Sequence, residues 1–256
     1  MRGRMAVFGL VAMVVAGVGE AEAQERFRHG ERSYAPLPRL YLELDLLGAN
    51  PVGDFGELVD NGFGGQAGLR ARLGGDSPLL LRLDGGFMIY GHERVDVCFP
   101  APIGCRVGAE LTTTNAVAFM GVGPEIAFPG RVSPYVFGTV GFSYFSTTSS
   151  LEDYGGSQDY FSTNNYSDFV GAARLGGGIR FQVGGPGSVS VDVGAEYHRN
   201  GMAEYLRKGD ILDHPDGSIT VFPNRTEANF MSFRLGVSIP VGYRPRDDDH
   251  DDWEWR

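Results

Sequence analysis

A chain of 256 residues with 32 acidic side chains against 22 basic ones carries a formal charge of −10, and no basic cluster relieves it. That excludes nucleic acid as a partner, because neutralising phosphates takes clustered Lys and Arg. The 39 glycines follow no three-residue period, which excludes a collagen-like fibre, and the length leaves room for one large domain or two small ones.

Residues 1–23 read as a secretory signal. Arg2 and Arg4 precede an apolar run over 5–18, and Ala21-Glu22-Ala23 supplies a small-x-small cleavage site before Gln24. The run is shorter than the roughly 20 residues a membrane-spanning helix needs. The competing reading, an uncleaved anchor helix, has the cleavage site against it. Residues 24–39 are polar, contain Pro36 and Pro38, and read as a periplasmic lead-in.

From residue 40 the pattern has period two. In 40–48, Leu42, Leu44 and Leu46 share one face, while Tyr41, Glu43 and Asp45 share the other. In 65–74, Ala67, Leu69, Ala71 and Leu73 oppose Gly68, Arg70 and Arg72. From 79, Leu79, Leu81, Leu83 and Phe87 oppose Arg82 and Asp84. Strands over 114–128 and 134–147 follow. In 169–183, Ala173, Leu175, Ile179 and Phe181 oppose Arg174, Arg180 and Gln182. From 189, Val189, Val191, Val193 and Tyr197 oppose Asp192, Glu196 and His198. In 229–243, Phe233, Leu235, Val237 and Ile239 oppose Arg234 and Ser238.

The connections alternate. Those at 74–78, 129–133 and 184–187 are tight turns of Gly, Pro, Asp and Ser. Those at 49–63, 92–111, 149–168 and 200–228 are long and polar. Eight strands joined this way predict an all-β fold: an eight-stranded antiparallel transmembrane β-barrel with short periplasmic turns and long extracellular loops. A soluble lipocalin-like barrel would alternate equally well with the opposite face inside. Three features favour the inverted assignment. The strands reach the 9–11 residues that cross a bilayer at a tilt. Glycine recurs on the charged face (Gly68, Gly121, Gly176, Gly194, Gly236), leaving room for long side chains in a narrow interior. Lys208 is the single lysine, and arginine, which suits confined ion pairing, takes its place.

On this assignment Glu43, Asp45, Asp84, Glu125, Asp192 and Glu196 face the lumen together with Arg70, Arg72, Arg82, Arg174, Arg180 and Arg234. Charges persist in such an interior when paired, and an eight-stranded barrel is wide enough only for its own side chains. The expectation is a charge-plugged lumen, with Arg234 near Glu43 and Asp45, and Arg180 beside Asp192. The alternative is a small gated channel for ions or small solutes.

The opening strand followed by Pro51-Val52-Gly53-Asp54-Phe55, the Gly121-Val122-Gly123-Pro124-Glu125 stretch, the Pro134-Tyr135-Val136 start and the glycine-rich sixth strand resemble the small outer-membrane β-barrel proteins of Gram-negative bacteria, the OmpA/OmpX-like superfamily. The resemblance covers residues 40–243. It implies a monomer in the cell outer membrane, bounded by outer-membrane lipid and lipopolysaccharide. It also implies insertion by the barrel-assembly machinery through a signal carried by Arg234, Gly236, Ile239 and Val241. One departure is the acidic tail at 244–256, since the family often ends on an aromatic residue of its last strand.

Other features carry weaker chemistry. Cys98 and Cys105 close a short Pro- and Gly-containing loop, and in an exported chain a disulfide is the expectation over a redox or metal pair. The Asp-rich tail with His250 lacks the Gly and Glu spacing of a calcium loop and reads as a solvated acidic tail. Tyr154, Tyr160, Phe161 and Tyr166 make the third long connection a candidate for binding an external ligand. His198, near the outer rim, invites a lipid-modifying reading by resemblance to lipid A deacylases. It lies on the charged face, and no serine follows it at the corresponding position. No catalytic residue, metal or cofactor is assigned. The function expected is structural and interactive, exercised through the extracellular loops.

Overall fold

The computed structural model describes residues 38–75, 77–98, 108–153, 159–184, 187–206, 210–213 and 219–242. The expected signal at 1–23, all but the last two residues of the lead-in, Tyr243 and the tail at 244–256 lie outside the described residues.

In chain order the elements are β1 (Leu40–Pro51), α1 (Asp54–Leu58), β2 (Gly62–Arg72), β3 (Leu79–Cys98), β4 (Gly108–Ala127), β5 (Val132–Asp153), β6 (Asp159–Gln182), β7 (Ser190–Asn200), β8 (Met202–Tyr205), β9 (Ile211–Asp213), β10 (Ile219–Val221), β11 (Asn224–Glu227) and β12 (Phe230–Val241). Strands β1 to β7 and β12 form a closed antiparallel barrel. β12 returns to β1 in an unbroken register from Leu40↔Val241 to Pro51↔Phe230. Closure removes the free edges that an open sheet would expose to lipid. At the short-turn end, Gly74 (φ 99°) and Gly187 (φ 76°) adopt the left-handed backbone that tight reversals require.

The barrel's polarity is the reverse of a soluble one. Leu46 is 71% exposed, Leu175 69% and Val140 67%, whereas Glu43 and Arg82 are fully buried. Pleating sends successive side chains to opposite faces, so each strand lays an apolar stripe outside and a polar one inside. In β3 the outer stripe runs from Leu79 to Phe87, close to the span that crosses a hydrocarbon core. The chain is therefore an eight-stranded antiparallel transmembrane β-barrel. Leu235, 57% exposed, lies midway along β12's outer stripe. Leu235→Arg should cost about 2–4 kcal/mol, the depth-dependent penalty of a cation on the lipid face, read as a lower urea midpoint in phospholipid vesicles.

Two long connections differ from the expectation. β3, β4, β5 and β6 run 20, 20, 22 and 24 residues, against 11 or 12 for the other barrel strands. Much of what reads as polar loop at 92–111 and 149–168 is thus strand. The Thr112-Thr113-Thr114-Asn115 run pairs with Thr147-Thr148-Ser149-Ser150. Thr113 and Ser149 share a hydroxyl hydrogen bond of 2.9 Å, and Thr147 donates to Asn115 at 2.7 Å. Polar but β-competent residues continue the sheet there, with Thr112, Asn115, Thr147 and Ser149 buried. The connection at 200–228 folds into two short hairpins, β8–β11 and β9–β10, and the one at 49–63 holds α1.

Candidate functional site

The lumen is filled in three layers. At the short-turn end Leu80, Ala127, Tyr135 and Phe137 form an apolar floor, with Tyr41 against it. Above it lies the charge layer. Arg82 reaches Glu43 at 3.0 Å, Glu125 at 3.1 Å and Asp84 at 2.5 Å. Arg70 meets Glu43 at 3.0 Å and Glu125 at 3.2 Å, and donates to the Ser238 hydroxyl. Arg180 grips Glu125 with both terminal nitrogens, at 2.8 and 3.1 Å, and Asp192 through Nε at 2.9 Å. Arg174 pairs with Asp84. Arg234 approaches Glu43 at 3.5 Å and Glu196 at 3.8 Å, and donates to Tyr135 Oη at 2.5 Å; that hydroxyl donates to Asp192 at 2.7 Å.

The arginines are also stacked. Arg180 lies 3.5 Å from the Tyr135 ring centre, Arg82 lies 4.4 Å from that of Phe137, and Arg174 lies 5.1 Å from that of Phe119. A planar guanidinium can serve an aromatic face and a carboxylate together, which ammonium does less well. Glycine makes the space: a Cβ on Gly176 would come within 2.7 Å of both the Phe137 ring and Glu196 Cβ. The sequence pattern did not single out these aromatics. The signal was present for Phe119, which shares the parity of Glu125 in β4, whereas β5 carries none of the expected lumen charges to mark Tyr135 and Phe137.

The third layer closes the long-loop end. α1 inserts Phe55, wholly buried, among three aromatic rings: Tyr205 at 4.9 Å, Tyr90 at 5.5 Å and Phe145 at 6.2 Å between ring centres. Leu47, Met88, Val117, Phe119 and Phe230 complete the cluster.

Of the twelve expected lumen charges, eleven are buried in this layered interior. Arg72 is the correction. It ends β2 at the short-turn rim, half-buried, bonded to the Ser77 carbonyl and at 3.5 Å to the Tyr41 hydroxyl, with no carboxylate partner among the described residues. Its parity is right, but its height on the strand puts it beyond the charge layer. His198 lies near the outer end of β7 on the inward face, as expected, and is fully buried there, stacked on Phe230 of the aromatic cap at 4.0 Å. A serine does meet it, from a different strand, since β12 places Ser232 at 3.2 Å. His198 Nε2 contacts both Ser232 and Glu196 (2.8 Å), while Nδ1 meets no protein partner among the described residues. A relay triad needs the acid and the nucleophile on opposite ring nitrogens, so this trio has the residue types without the geometry.

Arg234 and Gly236 of the expected insertion signal face the lumen, and Val241 is exposed on the outer face. Of the loop aromatics, Tyr154 lies outside the described residues, as do the Tyr160 and Phe161 side chains. Tyr166 donates to Glu204, and that bond to a carboxylate pushes the Tyr166 phenol up to about 12. It ties β6 to the β8–β11 hairpin. Cys105 and the Cys98 side chain lie outside the described residues, so the expected disulfide does too.

No protein-family model matches the chain, and no curated protein does. Among solved structures, Neisserial surface protein A is similar over 78% of this chain and 96% of its own, at 15% identity and a TM-score of 0.42. Ail, the attachment invasion locus protein of Yersinia pestis, is similar over 79% and 97%, at 13% identity and a TM-score of 0.39. A major outer membrane protein from Thermus thermophilus is similar over 78% and 98%, at 14% identity and a TM-score of 0.42.

Proposed function

We propose that this chain is an exported outer-membrane barrel whose work is structural and interactive, with a closed lumen and an outward-presented sheet. The observation that carries the reading is the three-layer filling of the interior. An apolar floor, an ion-paired middle and an aromatic cap leave the lumen's own side chains packed against one another, as expected for eight strands. What remains available is the exterior. The extensions of β3 to β6 beyond the apolar belt, with the β8–β11 hairpin leaning on β6, form a polar platform at the long-loop end, which this reading places outside the cell. Its hydrophilic face offers a surface for an external ligand.

Single-channel recording in planar bilayers tests the closed lumen. The purified barrel should give no discrete conductance steps; steady openings that change when Arg82 or Glu196 is neutralised would support the gated-channel alternative instead. Location is tested separately. The mature chain should fractionate with the outer membrane and migrate differently on gels before and after boiling.

A further inference from the structure

Asp45 stands apart within the charge layer. It is only 6% exposed, and neither carboxylate oxygen meets a hydrogen-bond donor or an ion-pair partner. Every other buried carboxylate of the charge layer has one. Several donors near Asp45 are engaged elsewhere, although Arg234 Nε meets no acceptor among the described residues. In the orientation its neighbours satisfy, the Gln66 amide donates to Glu196 at 3.2 Å and accepts from Arg82 at 3.0 Å. The Tyr135 hydroxyl serves Asp192, and Ser238 takes Arg70. Arg234 is held between Tyr135, Glu43 and Glu196.

The register explains the position. Asp45 pairs with Gly236, and Gly236 pairs on its other side with Asp192, so two aspartates flank one glycine across three strands. A Cβ on Gly236 would collide with Asp45 Oδ1. The glycine is therefore what lets the Asp45 carboxylate lie over β12 toward Asp192. One oxygen each from Glu43, Asp45 and Asp192 lie within 4.8 Å of one another. The charge count points the same way. Leaving aside Arg72 at the rim and the His198 imidazole, six buried carboxylates (43, 45, 84, 125, 192, 196) face five buried guanidiniums (70, 82, 174, 180, 234). The surplus is one negative charge, and the carboxylate left without a partner is Asp45.

We propose that Glu43, Asp45 and Asp192 form a cation site inside the barrel. Its donors are all carboxylate oxygens, which suit hard cations and not the soft or borderline metals that take sulfur or imidazole. A surplus of one charge selects a monovalent ion, and sodium is the probe. The site is a structural counter-ion site that completes the charge layer: Glu43 and Asp192 keep their arginines, and the ion neutralises Asp45.

The barrel refolded in detergent micelles is unfolded with urea at constant ionic strength in sodium chloride, tetramethylammonium chloride or calcium chloride. Tetramethylammonium is too large for a cluster of this span. The wild-type midpoint should rise with the logarithm of sodium concentration, by the linkage of a ligand that binds only the folded state, and stay flat in tetramethylammonium. Asp45→Asn, which keeps shape and removes the surplus charge, should lose the sodium response and match or exceed the wild-type midpoint in tetramethylammonium. A sodium response retained in the variant, or a response to calcium without one to sodium, would overturn the proposal. So would a wild type indifferent to all three salts, which would mean that a proton neutralises Asp45. The wild-type comparison of sodium with tetramethylammonium decides the matter even if the variant does not fold.

Discussion

Replacing Arg82 by methionine should lower the stability of the refolded barrel by about 3–5 kcal/mol, the range for breaking a buried ion pair from one side. Arg82 is wholly buried and is shared by Glu43, Asp84 and Glu125. Methionine keeps much of the stem's volume over the Phe137 ring, so packing loss is not the main effect. The loss arises because three carboxylates lose a shared partner and keep only their other arginines in a packed interior. Arg72→Met is the control. That side chain sits at the rim and meets only a carbonyl and a phenol, so its loss should cost about 1 kcal/mol or less. Adding Asp84→Asn to Arg82→Met should return part of the lost stability, because it removes one of the carboxylate charges left in excess, the one whose remaining partner is Arg174; coupled neighbours differ from additivity by about 0.5–3 kcal/mol. Both tryptophans, Trp253 and Trp255, lie in the tail beyond β12, so circular dichroism or gel migration should report unfolding in place of tryptophan emission.

The second large effect is expected at the cap. Phe55→Ala should destabilise the seating of α1 by about 3–5 kcal/mol, the usual cost of emptying a buried aromatic site. α1 has only five residues and no side-chain N-cap, so it cannot hold itself as a helix in water. Its conformation depends on Phe55 being gripped by Tyr90, Phe145 and Tyr205. The result should be local: proteolysis and hydrogen exchange between β1 and β2 rise sharply, while the global urea midpoint moves less. The single variant should remain non-conducting, because the charge layer and floor lie below the cap. Phe55→Ala combined with Arg82→Ala removes material from two layers, and should be the variant that first shows current in a bilayer.

These two residues differ in how far the sequence exposes them. Arg82 is legible because parity is a property of the strand itself: Leu81 and Leu83 face one way, so Arg82 must face the other. The same argument found eleven charges that are buried among the described residues, and it misjudged Arg72 because parity says nothing about height along the barrel axis. Phe55 is not legible. It sits in a connection with no period, and nothing local says that a five-residue helix will turn its ring into the barrel mouth. The extensions of β4 and β5 were missed for another reason. Thr112 to Asn115 and Thr147 to Ser150 are polar on both faces, the buried one included, so no apolar alternation betrays the strand. His198 has the face and the place near the strand end that parity and position give it, but its serine comes from β12, a partner that only pairing register can supply.

The sequence by itself determined the strand number, the antiparallel order and the two-faced chemistry of the wall, because a two-residue period is local and repeats in each barrel strand. Only the tertiary structure decided which charges meet. Closing β12 on β1 brings Arg234 to Glu43 and sets Asp45 and Asp192 on either side of Gly236. Those neighbours are separated by most of the chain, and cross-strand register, a long-range quantity, is what joins them.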